Sequence, residues 1–250
     1  MAWSCSPSAR PLIGITLLAL AGAAFAADAP MPGVDAIVSY ETRVVLASGV
    51  TRVDTWQERL VRRSDQVWTE RILPSRPHDH EGHADHVADG KATGKAKTPE
   101  HIGHKHFNGD TSARWLQRQG DRSVELKLVD RENKVVVSIP RNETATVGAD
   151  SDIDSAGSIV PTSVVRSMKP AKGPGESSDL SWKSDASGGW KHRILWSESR
   201  QLAMKVISER DDGSVRRVVN VALQPQSGSN EPPWRKLGDY ESKNFSDFGD

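Results

Sequence analysis

The chain has 250 residues, 33 of them basic and 33 acidic, so it carries no net charge at neutral pH. No field of either sign draws it to nucleic acid or to an anionic membrane. Its one cysteine, Cys5, lies in the leader described next, so the processed chain has no thiolate for catalysis, zinc, iron–sulfur clusters or disulfides.

The leader combines Arg10, an apolar run from Leu12 to Ala21, and Ala24-Phe25-Ala26, the small-x-small pattern that a signal peptidase accepts. The run is too short for a permanent bilayer span, which takes about 20 residues. Residues 1–26 are therefore read as a cleavable signal peptide, with an uncleaved anchor as the alternative. The mature protein is placed in a bacterial periplasm or outside the cell. Cys5 precedes the apolar run and is not a lipidation site. No later segment is apolar for long enough to form a transmembrane segment.

Beyond the leader the apolar residues recur with period two, the mark of strands with one wet face. In Ala36–Leu46, residues Val38, Tyr40, Thr42, Val44 and Leu46 share one face, and Ser48-Gly49 ends the run. Val124, Leu126 and Leu128 alternate with Ser123, Glu125 and Lys127, and a turn ending at Asn133 leads to Val135, Val137 and Ile139. Gly188-Gly189 precedes Trp190–Trp196, in which Trp190, His192, Ile194 and Trp196 share a face. Asp212-Gly213 is a hairpin signal between Val206–Arg210 and Val215–Leu223. Nine or ten strands are expected. One helix is expected over Pro161–Lys169, with Val164, Val165 and Met168 at helical spacing and Pro161 at the first helical position. The pairs Leu237/Tyr240 and Phe245/Phe248 predict short turns packing the tail onto the sheet, with a frayed tail as the alternative. Ala171–Ser187, rich in Gly, Ser, Lys and Asp, is read as irregular. Seven of the eight tryptophans lie beyond residue 26 and are expected to supply much of the buried area.

The chemically loaded segment is Pro74–Ser112. It holds seven of the eight histidines: His78, His80, His83 and His86 interleaved with Asp79, Glu81 and Asp85, then His101, His104 and His106. It has too few apolar residues to fold by itself and is read as a long disordered loop. Neutral imidazole is a common ligand for zinc, copper and nickel, so the loop is read as a chelating segment for a divalent transition metal. A low-complexity insertion that happens to be His-rich is the plain alternative. No H-E-x-x-H motif fixes ligands on a rigid element. The His tract is similar in composition to charged loops of some periplasmic zinc-binding proteins.

Other motifs point to ordinary structure. His192 is read as a half-buried side chain among tryptophans rather than a catalytic base. Asp150, Asp152 and Asp154 resemble the start of a calcium loop, but Ser155 stands where glycine is required, and a solvated turn is expected. No nucleophile elbow, phosphate loop or dinucleotide fingerprint occurs. The protein is read as a non-enzyme that requires no cofactor.

The segment Gly189–Pro225 resembles the sheet of the periplasmic lipoprotein-carrier-like superfamily, which includes the lipoprotein-localisation carriers and the amino-terminal domain of the MucB/RseB regulators. Trp196, Leu202, Lys205, Ser208, Asp212-Gly213 and Val215–Val221 carry the resemblance. It implies a mainly β fold: a curved antiparallel sheet, or half-barrel, with one or two short helices. Its concave apolar face would accept an acyl chain, a lipoprotein or a protein ligand. No functional residue carries over, and the His-rich loop departs from the pattern.

Residues 27–225 are thus expected to form a single antiparallel β domain with the His-rich insertion at 74–112, followed by a tail at 226–250. The leading expectation is an exported binding protein. A metal-buffering or metal-delivery protein and a regulator that binds another protein through its sheet are the alternatives. For the inner face, an open groove bearing Trp190 and Trp196 stands against a closed sandwich or barrel that fills itself.

Overall fold

The computed structural model describes residues 31–73, 111–121, 123–144, 152–225 and 231–248. The signal segment, the clustered histidines from His78 to His106, and Asp150 lie outside the described residues.

Twelve strands form one sheet: β1 (Val34–Val45), β2 (Thr51–Arg63), β3 (Gln66–Ile72), β4 (Ala113–Arg118), β5 (Val124–Asp130), β6 (Val135–Ile139), β7 (Lys169–Ala171), β8 (Leu180–Ser187), β9 (Trp190–Ser197), β10 (Leu202–Arg210), β11 (Val215–Leu223) and β12 (Glu241–Asn244). Their spatial order is β12-β6-β5-β4-β3-β2-β1-β11-β10-β9-β8-β7. The two end strands do not pair with each other, so the sheet is open and the closed-barrel alternative is excluded. All pairings are antiparallel except β12 with β6. The first strand lies in the middle, because β1 pairs with β2 on one side and with β11 on the other.

The alternation read from the sequence sets the two faces. Val34, Ala36 and Val38 lie opposite Arg62, Leu60 and Glu58 of β2, and Ala36 and Val38 lie opposite Leu223 and Val221 of β11. Their inner face continues through Val67, Leu116, Leu126, Leu128 and Val137 into one core. Two short helices cover it, α1 (Ile153–Ser158) and α2 (Thr162–Ser167). Helix α1 contacts both β4 and β10, which stand five strand spacings apart. In a flat sheet those strands would lie about 24 Å apart, more than a six-residue helix of about 9 Å can bridge. The sheet is therefore bent around α1, as the expected half-barrel requires.

On the opposite face Val61, Trp68, Ala113, Val129 and Val136 form a second core, closed by Trp234, Leu237 and Tyr240 of the tail. The indole of Trp234 stacks on Trp115 with ring centres 6.5 Å apart. The tail turns at both expected pairs, with the Tyr240 amide donating to the Leu237 carbonyl at 3.1 Å and a 3-10 turn at Phe245–Phe248, and a further 3-10 turn at Pro233–Lys236 precedes them. Between them it adds β12, which the sequence did not signal.

Three local expectations are corrected. Pro161 is the cap before α2 rather than its first residue. The Asp-rich segment holds α1 in place of a plain turn: Asp152 caps the helix by accepting the Asp154 amide at 3.0 Å. Such acceptance satisfies a donor left free at a helix start. The stretch 171–187 ends in strand β8, whose low apolar content follows from a single buried side chain, Trp182. Its indole donates to the Pro174 carbonyl at 2.9 Å and packs tightly against Gly173. Gly188 and Gly189, both at positive φ, make the two-residue turn into β9.

Candidate functional site

Between α1 and the inner face of the sheet lies a half-open groove of about 310 Å³. Its floor is apolar, built from Val38 of β1, Leu60 of β2, Leu116 of β4, Val206 of β10 and Val219 of β11. Its roof is Ser155, Ala156, Ile159 and Val160, from α1 and the residues after it. Tyr40, Glu58, Thr69 and Arg114 supply the polar part of the wall.

The roof is held by a buried arginine, Arg62, and an aspartate, Asp154. Arg62 is inaccessible to solvent. Its guanidinium donates to the carbonyls of Pro32 at 2.9 Å, Gly157 at 2.7 Å and Gln201 at 3.0 Å, and also to that of Arg200. One side chain on β2 thus ties the end of α1 to the β9–β10 turn and to the entry of β1. Burial pulls its pKa down to about 10, opposed by the charge of Asp154, and leaves it protonated at neutral pH. Asp154 in turn accepts the Thr162 amide at 2.9 Å and the Thr162 hydroxyl at 3.0 Å, clipping α1 to the start of α2. Ile159, the residue that ends α1, has φ 70°. That conformation is costly for a β-branched residue, by about 1–3 kcal/mol, and here it accompanies an isoleucine whose side chain faces the groove.

At the mouth Tyr40 stacks on Trp56, centroids 4.9 Å apart, and its hydroxyl donates to Glu58 Oε2 at 3.0 Å. Burial first, and the Glu58 carboxylate second, hold the phenol well above the usual tyrosine pKa. Tyr40 is thus a neutral donor at any physiological pH.

No family model matches the sequence, and no curated protein matches it. Several solved structures align with much of the chain. PNGF-II aligns over 86% of this chain and 32% of its own, at TM-score 0.36 and 8% identity. The chain thus spans about a third of that structure's length. A putative outer membrane lipoprotein-sorting protein domain from Vibrio parahaemolyticus aligns over 79% of this chain and 87% of its own, at TM-score 0.29 and 12% identity. A LolA superfamily protein from Nitrosomonas europaea aligns over 82% of this chain and 90% of its own, at TM-score 0.31 and 10% identity.

The expected tryptophan reporters divide. Trp190, His192, Ile194 and Trp196 do share one face, as the register of β9 against β8 and β10 shows. Trp196, however, is buried with Val165, Met168, Ile194 and Ala203 beneath α2, not in the groove. Trp190 is half-buried beyond the groove, stacked on His192 at 6.1 Å and flanked by Arg217 and Arg210. His192 is half-buried, with Nδ1 2.9 Å from the Ser208 hydroxyl, which is the ordinary packing role expected of it. The tryptophan at the mouth is Trp56, and its strand position four residues before Leu60 is the signal that would have found it.

Among the described residues no group of three or more His, Cys, Asp or Glu side chains is placed to hold a metal ion. The seven clustered histidines lie outside those residues. Their segment connects β3 to β4, which are neighbours in the sheet and carry Thr69 and Arg114 of the groove wall.

Proposed function

We propose that the protein is an exported periplasmic carrier-like binding protein, not an enzyme, and that the groove under α1 holds one apolar chain such as the acyl chain of a lipoprotein. The observation that carries this reading is the groove itself. It is an apolar concavity with few polar groups, and its 310 Å³ lies at the small end of the range of about 300–1,000 Å³ common to ligand sites. Solvent-facing apolar surface of this kind is retained where something binds. The small volume favours a single chain over a two-chain lipid.

The test is addition of a dodecanoylated peptide to the mature protein. Saturating peptide should raise the melting temperature by mass action and shift the emission of Trp56, assigned by comparison with Trp56→Phe. Val219→Phe, which fills the groove floor, should abolish both changes while keeping its own cooperative transition. Unchanged melting and emission in the wild type overturn the reading.

A second reading stands beside it. Seven imidazoles in one connection between β3 and β4 are a donor set for Zn, Cu or Ni, and metal binding there is proposed as an added property of the carrier.

A further inference from the structure

We infer that the groove selects a single-chain amphiphile with an anionic head, a long-chain carboxylate, and that Arg114 is the residue that recognises the head. This rests on the groove being the binding site, as proposed above.

Among the described residues two side chains that line the groove are charged at neutral pH, Glu58 and Arg114. Glu58 is engaged: it accepts the Tyr40 hydroxyl at 3.0 Å, and Arg71 is its register partner across β2 and β3. Arg114 differs. It is exposed at the mouth, and no described carboxylate lies within ion-pair distance of it. In the register it stands between Thr69 of β3 and Leu128 of β5, so an apolar side chain flanks it on one side and a hydroxyl on the other. A planar guanidinium at the edge of an apolar trough matches a carboxylate in both charge and geometry. Further along β2, Asp54 shares the Glu58 face and pairs with Arg52 at 3.0 Å. Beyond the groove the same face carries Arg217 on β11, over the Trp190 ring and outside the groove lining.

The experiment compares three ligands of one chain length, decanoate, decan-1-ol and decyltrimethylammonium, by calorimetric titration of the mature protein. Decanoate should bind about tenfold more tightly than the alcohol, the size expected for a charge-assisted contact at a partly wet site. Arg114→Gln should erase that preference, so that the variant binds decanoate and decan-1-ol equally. Arg217→Gln, outside the groove lining, should retain it. Equal binding of decanoate and alcohol by the wild type, or a preference that survives Arg114→Gln, overturns the anionic head while leaving the groove as a site for apolar chains. A preference for the ammonium ligand overturns it too and assigns the head to Glu58. If none of the three binds, the groove reading and this inference fall together.

Discussion

Arg62→Ala is the substitution from which the structure predicts the largest loss. The wild-type guanidinium is solvent-inaccessible and supplies donors to four main-chain carbonyls, of Pro32, Gly157, Arg200 and Gln201. Bonds from a charged donor contribute about 1.5–3 kcal/mol each. Burying the guanidinium costs several kcal/mol in return, which cancels much of that sum. Removing it relieves the burial cost but leaves carbonyls without donors and a cavity between α1 and β2. Truncating one partner of such an arrangement costs about 3–5 kcal/mol, and that is the expected destabilisation. Arg62→Met fills most of the volume and removes the charge, so it should cost less than Arg62→Ala. Arg62→Lys keeps the charge but not the planar fork, and it should fall between wild type and Arg62→Ala. Urea unfolding followed by tryptophan fluorescence measures the series. With a slope of about 2 kcal/mol per molar, a 4 kcal/mol loss moves the midpoint down by about 2 M. A midpoint for Arg62→Ala within about 0.5 M of wild type, on that slope, refutes the role assigned to Arg62.

Three further outcomes follow from the same contacts. Gly157→Ala places a Cβ 3.0 Å from Arg62 Cδ and 3.1 Å from Val67 Cγ2, so it should destabilise by about 1–3 kcal/mol in the urea assay despite alanine's helix preference. Asp179 is held down at about pKa 2, by the Ser197 hydroxyl first and then by the Ser199 amide and hydroxyl and the Arg200 charge. A carboxylate lowered by folding contributes stability that is complete above its ordinary pKa of 3.8 and is lost as pH falls through about 2. Melting temperature should therefore fall more steeply between pH 4 and pH 2 in wild type than in Asp179→Asn, and equal slopes would contradict the assignment. Replacing His78, His80, His83 and His86 with alanine should weaken zinc, copper or nickel binding in calorimetry while leaving the metal-free urea midpoint nearly unchanged. A large loss of apo stability would place the loop in the core.

Local pattern was enough to read the strands. Alternation over two residues is a property of the strand alone, so β1, β5, β6, β9, β10 and β11 were visible in Val38–Val44, Val124–Leu128 and their counterparts. So were the turns at Gly188-Gly189 and Asp212-Gly213, the helix after Pro161 and the shared face of Trp190 through Trp196. Alternation names two faces without saying what covers either. Only the tertiary structure decided that α2 buries Trp196 and that Trp56 takes its place at the groove mouth. It also decided that the tail closes the face around Trp68 and Trp115. Helix α1, six residues long, has less than two turns in which to display a period, and its aspartates read equally well as a turn. Strand β8 buries one large side chain and so lacks an apolar row. Arg62 is the sharpest case. In Arg62-Arg63 the sequence offers two adjacent arginines at the end of a strand, and a strand points adjacent residues to opposite faces. Arg63 pairs with Asp35 at 2.9 Å and stays partly exposed, whereas Arg62 turns inward to four carbonyls contributed by residues 30 to 139 positions away in the chain. Nothing local distinguishes the two, because what fixes Arg62 is the convergence of distant main-chain acceptors that exists only once the sheet has bent around α1.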